Sequence, residues 1–306
     1  MDRRAAWVLG IIFGGLFLCV FTFLFLFYAV VRGSSDARHT ASSGNVGVIE
    51  VTGTITDSKK TLKDIKEFEA DNGIKSVLVR VDSPGGAVGP SQEIYDALKR
   101  LKAKKKVVVS MGSTAASGGF YIACAGDRVF ANPGTLTGSI GVIFQFPNVQ
   151  GLLKWAGVGM NTITAGTRKD VGSPFRELTP DDRKYLEGVL ADVHAQFIEA
   201  VAEGRHLPIA AVKAVADGRV FTGREAKELK LVDELGGFDA AVVAAGTLGG
   251  ITGEPKLAYP HRDRKFLREL LSDDDMDSLY QGGAAKVVQL LGGEGLLFRS
   301  PGLAQP

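Results

Sequence analysis

The chain has 306 residues, 45% of them hydrophobic and 23% charged, and a formal net charge of +2. That length supports one ample domain with appendages, or two modest ones, and the near-neutral charge gives no reason to expect nucleic acid as a partner. Only Cys19 and Cys124 are present, no cysteine–histidine metal spacing or phosphate-binding glycine fingerprint occurs, and so no cofactor is indicated.

Residues 1–4 carry Arg3 and Arg4, and the 27 residues from Ala5 to Val31 carry no charge at all. Such a segment is long enough to span a bilayer, and it exceeds the apolar region of a cleavable signal peptide. The leading arginines favour an inside N-terminus, although Arg32 and Arg38 follow the segment and weaken the bias. Gly33-Ser34-Ser35-Asp36-Ala37 imitates a cleavage site. The expected arrangement is a single anchor at 5–31, a small polar linker at 32–45 and a body outside the cytoplasm. Cys19 falls inside that anchor, so no disulfide to Cys124 is expected.

Beyond the linker, Val46–Val51 reads as a strand and Ser58–Ala70 as a charged helix. Residues 76–86 read SVLVRVDSPGG, a buried strand broken by Asp82, Ser83 and Pro84, and apolar residues at helical spacing follow Pro90. The Gly85-Gly86 pair is by default a turn, but at a strand end it can also present backbone N–H groups to a developing oxyanion. The next strand-to-helix unit runs from Val107–Met111 to Phe120–Ala125. Between them lies Gly112-Ser113-Thr114-Ala115-Ala116-Ser117-Gly118-Gly119. A serine at such a turn projects its hydroxyl outward with helix amides behind it; equally, small residues pack tightly where a helix starts over a sheet.

Arg128–Ala131 and Gly141–Phe146 read as further strands, and Gly159–Thr164 leads into a loop carrying Lys169. Thr179-Pro180-Asp181-Asp182 is a strong helix start, opening a helix to about Arg205 that offers an assembly or packing surface. Repeated βα units predict an α/β fold with parallel strands. From Gly250 onward the composition shifts to a basic run, an acidic run and glycine-rich ends, with short helices expected at Lys265–Leu271 and Ala284–Leu291.

No histidine stands ready to activate Ser117. His39 belongs to the linker, His194 and His206 to the long helix and its end, and His261 to a charged irregular run. A lysine is the other option, because burial can lower its pKa to about 7–8. Lys169 differs from the other lysines in lying on a loop and not on a repeating helical face, although a surface role remains the default from spacing alone.

The sequence resembles the signal peptide peptidase A family of membrane-bound bacterial serine proteases, within the wider Clp-protease/crotonase superfamily. The resemblance rests on SVLVRVDSPGG at 76–86, MGSTAASGGFYIACAGDRVFANPGTLTGSIGV at 111–142, TAGTRKDVGSPFRELT at 164–179 and DGRVFTGREAKELKLVDELGG at 217–237. It implies a protease domain at 46–249, built of ββα units with a parallel sheet, followed by a tail at 250–306 that is helical or engaged in assembly. It also implies that Ser117 is the nucleophile, Lys169 the general base, Ser139 the residue orienting that lysine, and Gly86 and Gly118 the oxyanion amides. Phe120 stands where tyrosine is common in the family. The implied activity is degradation of released signal peptides and other apolar peptides at the bacterial inner membrane, by a homo-oligomeric ring or bowl. A broader protein quality-control protease is the close variant. A crotonase-like acyl-CoA enzyme would share the glycine-built oxyanion hole without needing the serine, and a non-enzymatic scaffold would not need Ser117, Lys169 and Ser139 intact.

Overall fold

The computed structural model describes residues 44–261 and a short strand at 297–299. The candidate anchor at 5–31 and the helices expected at 265–271 and 284–291 lie outside the described residues. Among those described, no helix is long and apolar enough to cross a membrane.

Three long strands form the centre of an α/β sheet: β1 (Val46–Thr52), β2 (Ser76–Ser83) and β4 (Lys106–Ala116), with the short β3 (Gly85–Ala87) following β2. The three are parallel and start in step, Val46 facing Ser76 and Ser76 facing Lys106. Their residues alternate between two cores, as the two-residue period of a strand requires. Val77, Val79, Val107 and Val109 enter one cluster, whereas Leu78 and Val108 enter the other. Burial on both faces explains why these strands read as continuous apolar runs.

The larger cluster lies under α1 (Lys59–Ala70), α2 (Val88–Lys102), α3 (Gly118–Ala123) and the second half of α5 (Pro180–Arg205). In α1 the buried Thr61, Ile65 and Phe68 recur at helical spacing, and Phe68 covers Gly47, where a Cβ would meet its ring at 2.7 Å. The fully buried α3 places Tyr121 edge-on to Tyr95 of α2, with ring centroids 5.0 Å apart. The smaller cluster packs α8 (Phe238–Leu248) against the opposite face through Ala241 and Ala245.

The remaining strands are short. β4 pairs along its first half with β5 (Arg128–Ala131) and along its last residues with β6 (Leu136–Gly138). β7 (Val220–Thr222) adds antiparallel to β6, β8 (Glu234–Leu235) adds to β5, and β9 (Leu257–Ala258), in the stretch after 249, adds to β1. The expected helix start is present in full: Thr179 and Asp182 form a capping box and Pro180 occupies the first turn. His206 caps that helix in a left-handed conformation.

One expected strand is absent: Gly141–Phe146 has only an isolated bridge residue at Ile143. Gly159–Thr164, which leads into the Lys169 loop, is irregular. Both belong to a stretch, roughly 143–178, that includes α4 (Gln150–Trp155), a helix with no buried residue. Trp155 is 84% exposed and Ile163 98%, with Leu152, Val158 and Met160 also exposed. Among the described residues these exposed side chains have no sheet face to enter, so alternation alone produces no strand.

Candidate active site

The segment that carries Ser117 begins at the end of β4. Beyond Met111 the pairing of β2 with β4 shifts register, so that Ser83 faces Ala115. Asp82 stabilises this irregularity, its carboxylate accepting the Thr114 amide at 3.0 Å, and its side chain occupies the space that a Cβ on Gly112 would need. Thr135 and Thr137 donate their hydroxyls to the carbonyls of Gly112 and Ala115, both at 2.7 Å. The strand therefore continues to Ala116, five residues past the expected end at Met111.

Ser117 then breaks it. Its φ of 53° and ψ of −119° lie where non-glycine residues are strained, at a cost on the order of 1–3 kcal/mol. Two hydrogen bonds hold the turn: the Ser117 amide donates to Gly138 at 2.8 Å, and its carbonyl accepts the Tyr121 amide at 2.8 Å, starting α3. The hydroxyl is buried and has no hydrogen-bond partner among the described residues. A buried, unpaired hydroxyl costs roughly 1–3 kcal/mol, which a purely structural serine would have no reason to bear.

Gly86 and Gly118 meet beside it. Ile55 takes one edge of β3, donating to the Gly85 carbonyl at 2.9 Å and accepting the Ala87 amide at 2.7 Å. Alternate residues of a strand turn their N–H and C=O to opposite sides, so the Gly86 amide faces away from Ile55. It points toward the start of α3, where a Cβ on Gly118 would stand 3.3 Å from the Gly86 nitrogen. The first amides of a helix have no partner within it, so the Gly118 N–H is available in the same place. The glycines are steric necessities: a Cβ at Gly86 would fall 2.1 Å from the Ile55 carbonyl oxygen, and one at Gly118 would fall 2.5 Å from Ser91 Oγ. Ser91 is fully buried and donates to the Ala87 carbonyl at 2.8 Å, so it cannot swing aside freely. Gly118→Ala is expected to push α3 off β3 and to reduce peptide hydrolysis by about 10²-fold. The double variant Ser91→Ala/Gly118→Ala recovers part of the loss, as steady-state assays of the pair will show.

Ser139 is brought to the same place. Gly138 ends β6 opposite Ala116, and Ser139 follows it, buried, at φ 51°, its amide donating to Arg219 at 2.8 Å.

Lys169 is not. Its side chain is exposed, and because Ser117 Oγ has no partner the two are not hydrogen-bonded. The turn that carries it is clipped to the start of α5 on both sides. Arg168 lies 4.8 Å over the Tyr185 ring, and Asp170 bonds Arg176, which also bonds Asp182 of the capping box at 2.5 Å. Arg176, together with the Thr179 amide, holds the Asp182 carboxyl down to about 2, from an ordinary value of 3.8, and Arg176 lowers Asp170 as well. A depressed carboxylate stabilises the fold above its unfolded value. This clamp is thus complete above about pH 3.8 and lost as pH falls through about 2. Arg176→Ala is expected to free the turn at neutral pH and to lower activity by about 10²-fold without unfolding the body. Hydrogen exchange over residues 167–176 measures the release directly, and the wild-type turn should show the same release only in strong acid.

Sequence reasoning assigned no role to Ser91 or Arg176. Each acts through residues distant in the chain or through a backbone approach, and neither leaves a local pattern. Cys124, the cysteine within the described residues, is free and buried, and burial pushes its thiol up to about 12, so it offers no competing nucleophile at neutral pH.

The parallel sheet with its strand-to-helix turn is a fold of the Clp-protease type, and the Clp protease family matches residues 44–136. Peptidase family S49 matches residues 99–252. A putative protease of Synechocystis sp. is 46% identical over 214 residues, covering 69% of this chain and 77% of its own. A putative protease of Methanocaldococcus jannaschii is 34% identical over 211 residues, covering 69% and 68%. A putative signal peptide peptidase SppA of Enterococcus faecium is 34% identical over 210 residues, covering 64% and 61%. The chain belongs to peptidase family S49, the signal peptide peptidase A family, and is a peptidase.

Proposed function

We propose that this peptidase is a serine endopeptidase in which Ser117 attacks the peptide carbonyl and Lys169 is the general base. The observation that carries the reading is the buried, unpartnered Ser117 hydroxyl beside the Gly86 and Gly118 amides. Lys169 Nζ, as the neutral amine, takes the hydroxyl proton while Oγ bonds to the carbonyl carbon. The Gly86 and Gly118 N–H groups receive the oxyanion, at roughly 3–4 kcal/mol each. The lysine returns the proton to the leaving amine as the C–N bond breaks. A water, deprotonated by the lysine, then cleaves the acyl ester and restores Ser117. Ser139 orients the lysine in this scheme.

The exposed Lys169 and the unpartnered Ser117 are reconciled by self-association. The stretch 143–178 presents a set of large apolar side chains that nothing among the described residues covers, the usual mark of an interface. Assembly into a ring or bowl buries this stretch and delivers Lys169, now desolvated, to Ser117. Mixing purified Ser117→Ala with Lys169→Ala tests this reading. Recovered hydrolysis shows that the lysine comes from a neighbouring copy. Continued inactivity beside an active wild-type assembly returns Lys169 to its own chain.

The substrates in this reading are extended apolar peptides, including released signal peptides, added as a strand along β3. The name of the Enterococcus relative supports the choice, as does the apolar segment 5–31 when read as a single membrane anchor with the body outside the cytoplasm.

A further inference from the structure

The last residue of β2 is a serine with no solvent exposure, and its hydroxyl is engaged on both sides. Ser83 Oγ donates to the Gly53 carbonyl at 2.6 Å and accepts the Gly85 amide at 3.1 Å. Gly53 is the first residue past β1, at φ 69°, and its amide donates to the Asp82 carbonyl at 3.0 Å. The Ser83 carbonyl lies against α3, where a Cβ on Gly119 would stand 2.8 Å from it. One residue therefore ties together the turn after β1, the strand β3 and the helix that Ser117 opens.

Gly85 connects this tie to Gly86. Its φ of 101° is open to glycine, whose backbone does little by itself to hold the two peptide planes that flank it. Both planes are held from outside. The Ser83 hydroxyl takes the N–H of the first, and the Ile55 amide donates to the carbonyl of the second at 2.9 Å. A trans peptide is planar and its N–H points opposite its carbonyl, so the Ile55 contact sets the direction of the Gly86 N–H. Ile55 lies two residues after Gly53, the residue that Ser83 grips. Loss of the Ser83 hydroxyl thus loosens both planes at once.

We propose that Ser83 is a positioning residue of the oxyanion hole, acting through Gly85 and the Gly53–Ile55 segment to aim the Gly86 N–H at the substrate carbonyl oxygen. The proposal rests on the reading of Gly86 as an oxyanion donor. A serine kept only to close a turn would alter stability and leave the chemistry of the folded enzyme unchanged.

The test uses the full, assembled enzyme and two inhibitors built on one apolar peptide, ending in an aldehyde or in the corresponding alcohol. With the aldehyde, Ser117 Oγ bonds to the carbonyl carbon, the π electrons move to the oxygen in the hole, and the serine proton passes to Lys169. The alcohol forms no such adduct. Ser83→Ala is expected to lower kcat by about 30-fold at unchanged KM, less than the outright loss of a donor. The aldehyde should weaken by a similar factor and the alcohol not at all, because only the aldehyde loads the hole. Melting also falls, since the Gly85 N–H and the Gly53 carbonyl lose their partner, but an inhibition constant does not depend on how much of the enzyme is folded. Ser83→Cys keeps the packing and bonds weakly, so it should show the same selective loss, and it decides the matter if the alanine variant does not fold. An unchanged ratio of aldehyde to alcohol affinity overturns the proposal, as does an equal weakening of both. If the wild-type enzyme binds the aldehyde no more tightly than the alcohol, the reading of Gly86 itself fails, and the role of Ser83 falls with it.

Discussion

Ser117→Ala is expected to abolish peptide hydrolysis, a loss of roughly 10⁴–10⁶-fold, while raising the melting temperature. The two effects have one cause. The serine hydroxyl is buried without a partner among the described residues, so deleting it removes an unmet desolvation cost and sacrifices none of their hydrogen bonds. A gain of about 1 kcal/mol corresponds to about 2–4 °C for a domain of this size. A serine present only for packing or for a structural hydrogen bond predicts the opposite, a loss of stability on substitution. Thermal melts and peptide assays on the same preparation separate the two. Ser117→Gly adds relief of the backbone strain at φ 53° and is expected to melt higher still.

Lys169→Ala is expected to abolish hydrolysis to a similar degree, with almost no change in stability. Its side chain is exposed in the single chain, and substitutions of that kind stay within about 0.5 kcal/mol. Lys169→Arg is expected to fail as well, because guanidinium does not give up its proton and is no base at any working pH. A surface lysine would tolerate both changes. Comparison with Arg176→Ala grades the site: the loss is expected to be near complete at Lys169 and smaller at the clamp that holds its turn.

The central sheet was legible because its strands are buried on both faces and so read as unbroken apolar runs, and α5 because Thr179, Pro180 and Asp182 are a local signal for a helix start. The small-residue run around Ser117 was legible as a turn, but not as a strand reaching Ala116. That extension depends on β6, twenty residues later, and on Asp82 filling the register shift. The run at Gly141–Phe146 misled for a related reason. Val142 packs against the larger cluster while Ile143 is exposed, and periodicity does not distinguish a residue facing its own core from one awaiting a partner. Ser139 and Gly86 were placed by resemblance; in the structure Ser139 follows Gly138, whose carbonyl accepts the Ser117 amide, and the Gly86 nitrogen lies against Gly118. The pairing of Leu297–Arg299 with β3 was not legible, because a short strand flanked by glycines takes its register wholly from the edge it meets.

The most direct test of a Ser117–Lys169 dyad is to treat the purified, assembled protein with a serine-reactive phosphonate probe and locate the adduct by mass spectrometry. The account predicts a single adduct on Ser117 that disappears in Lys169→Ala, whose fold is intact. Labelling of Lys169→Ala at the wild-type rate, or an adduct on another residue of the active enzyme, would contradict it.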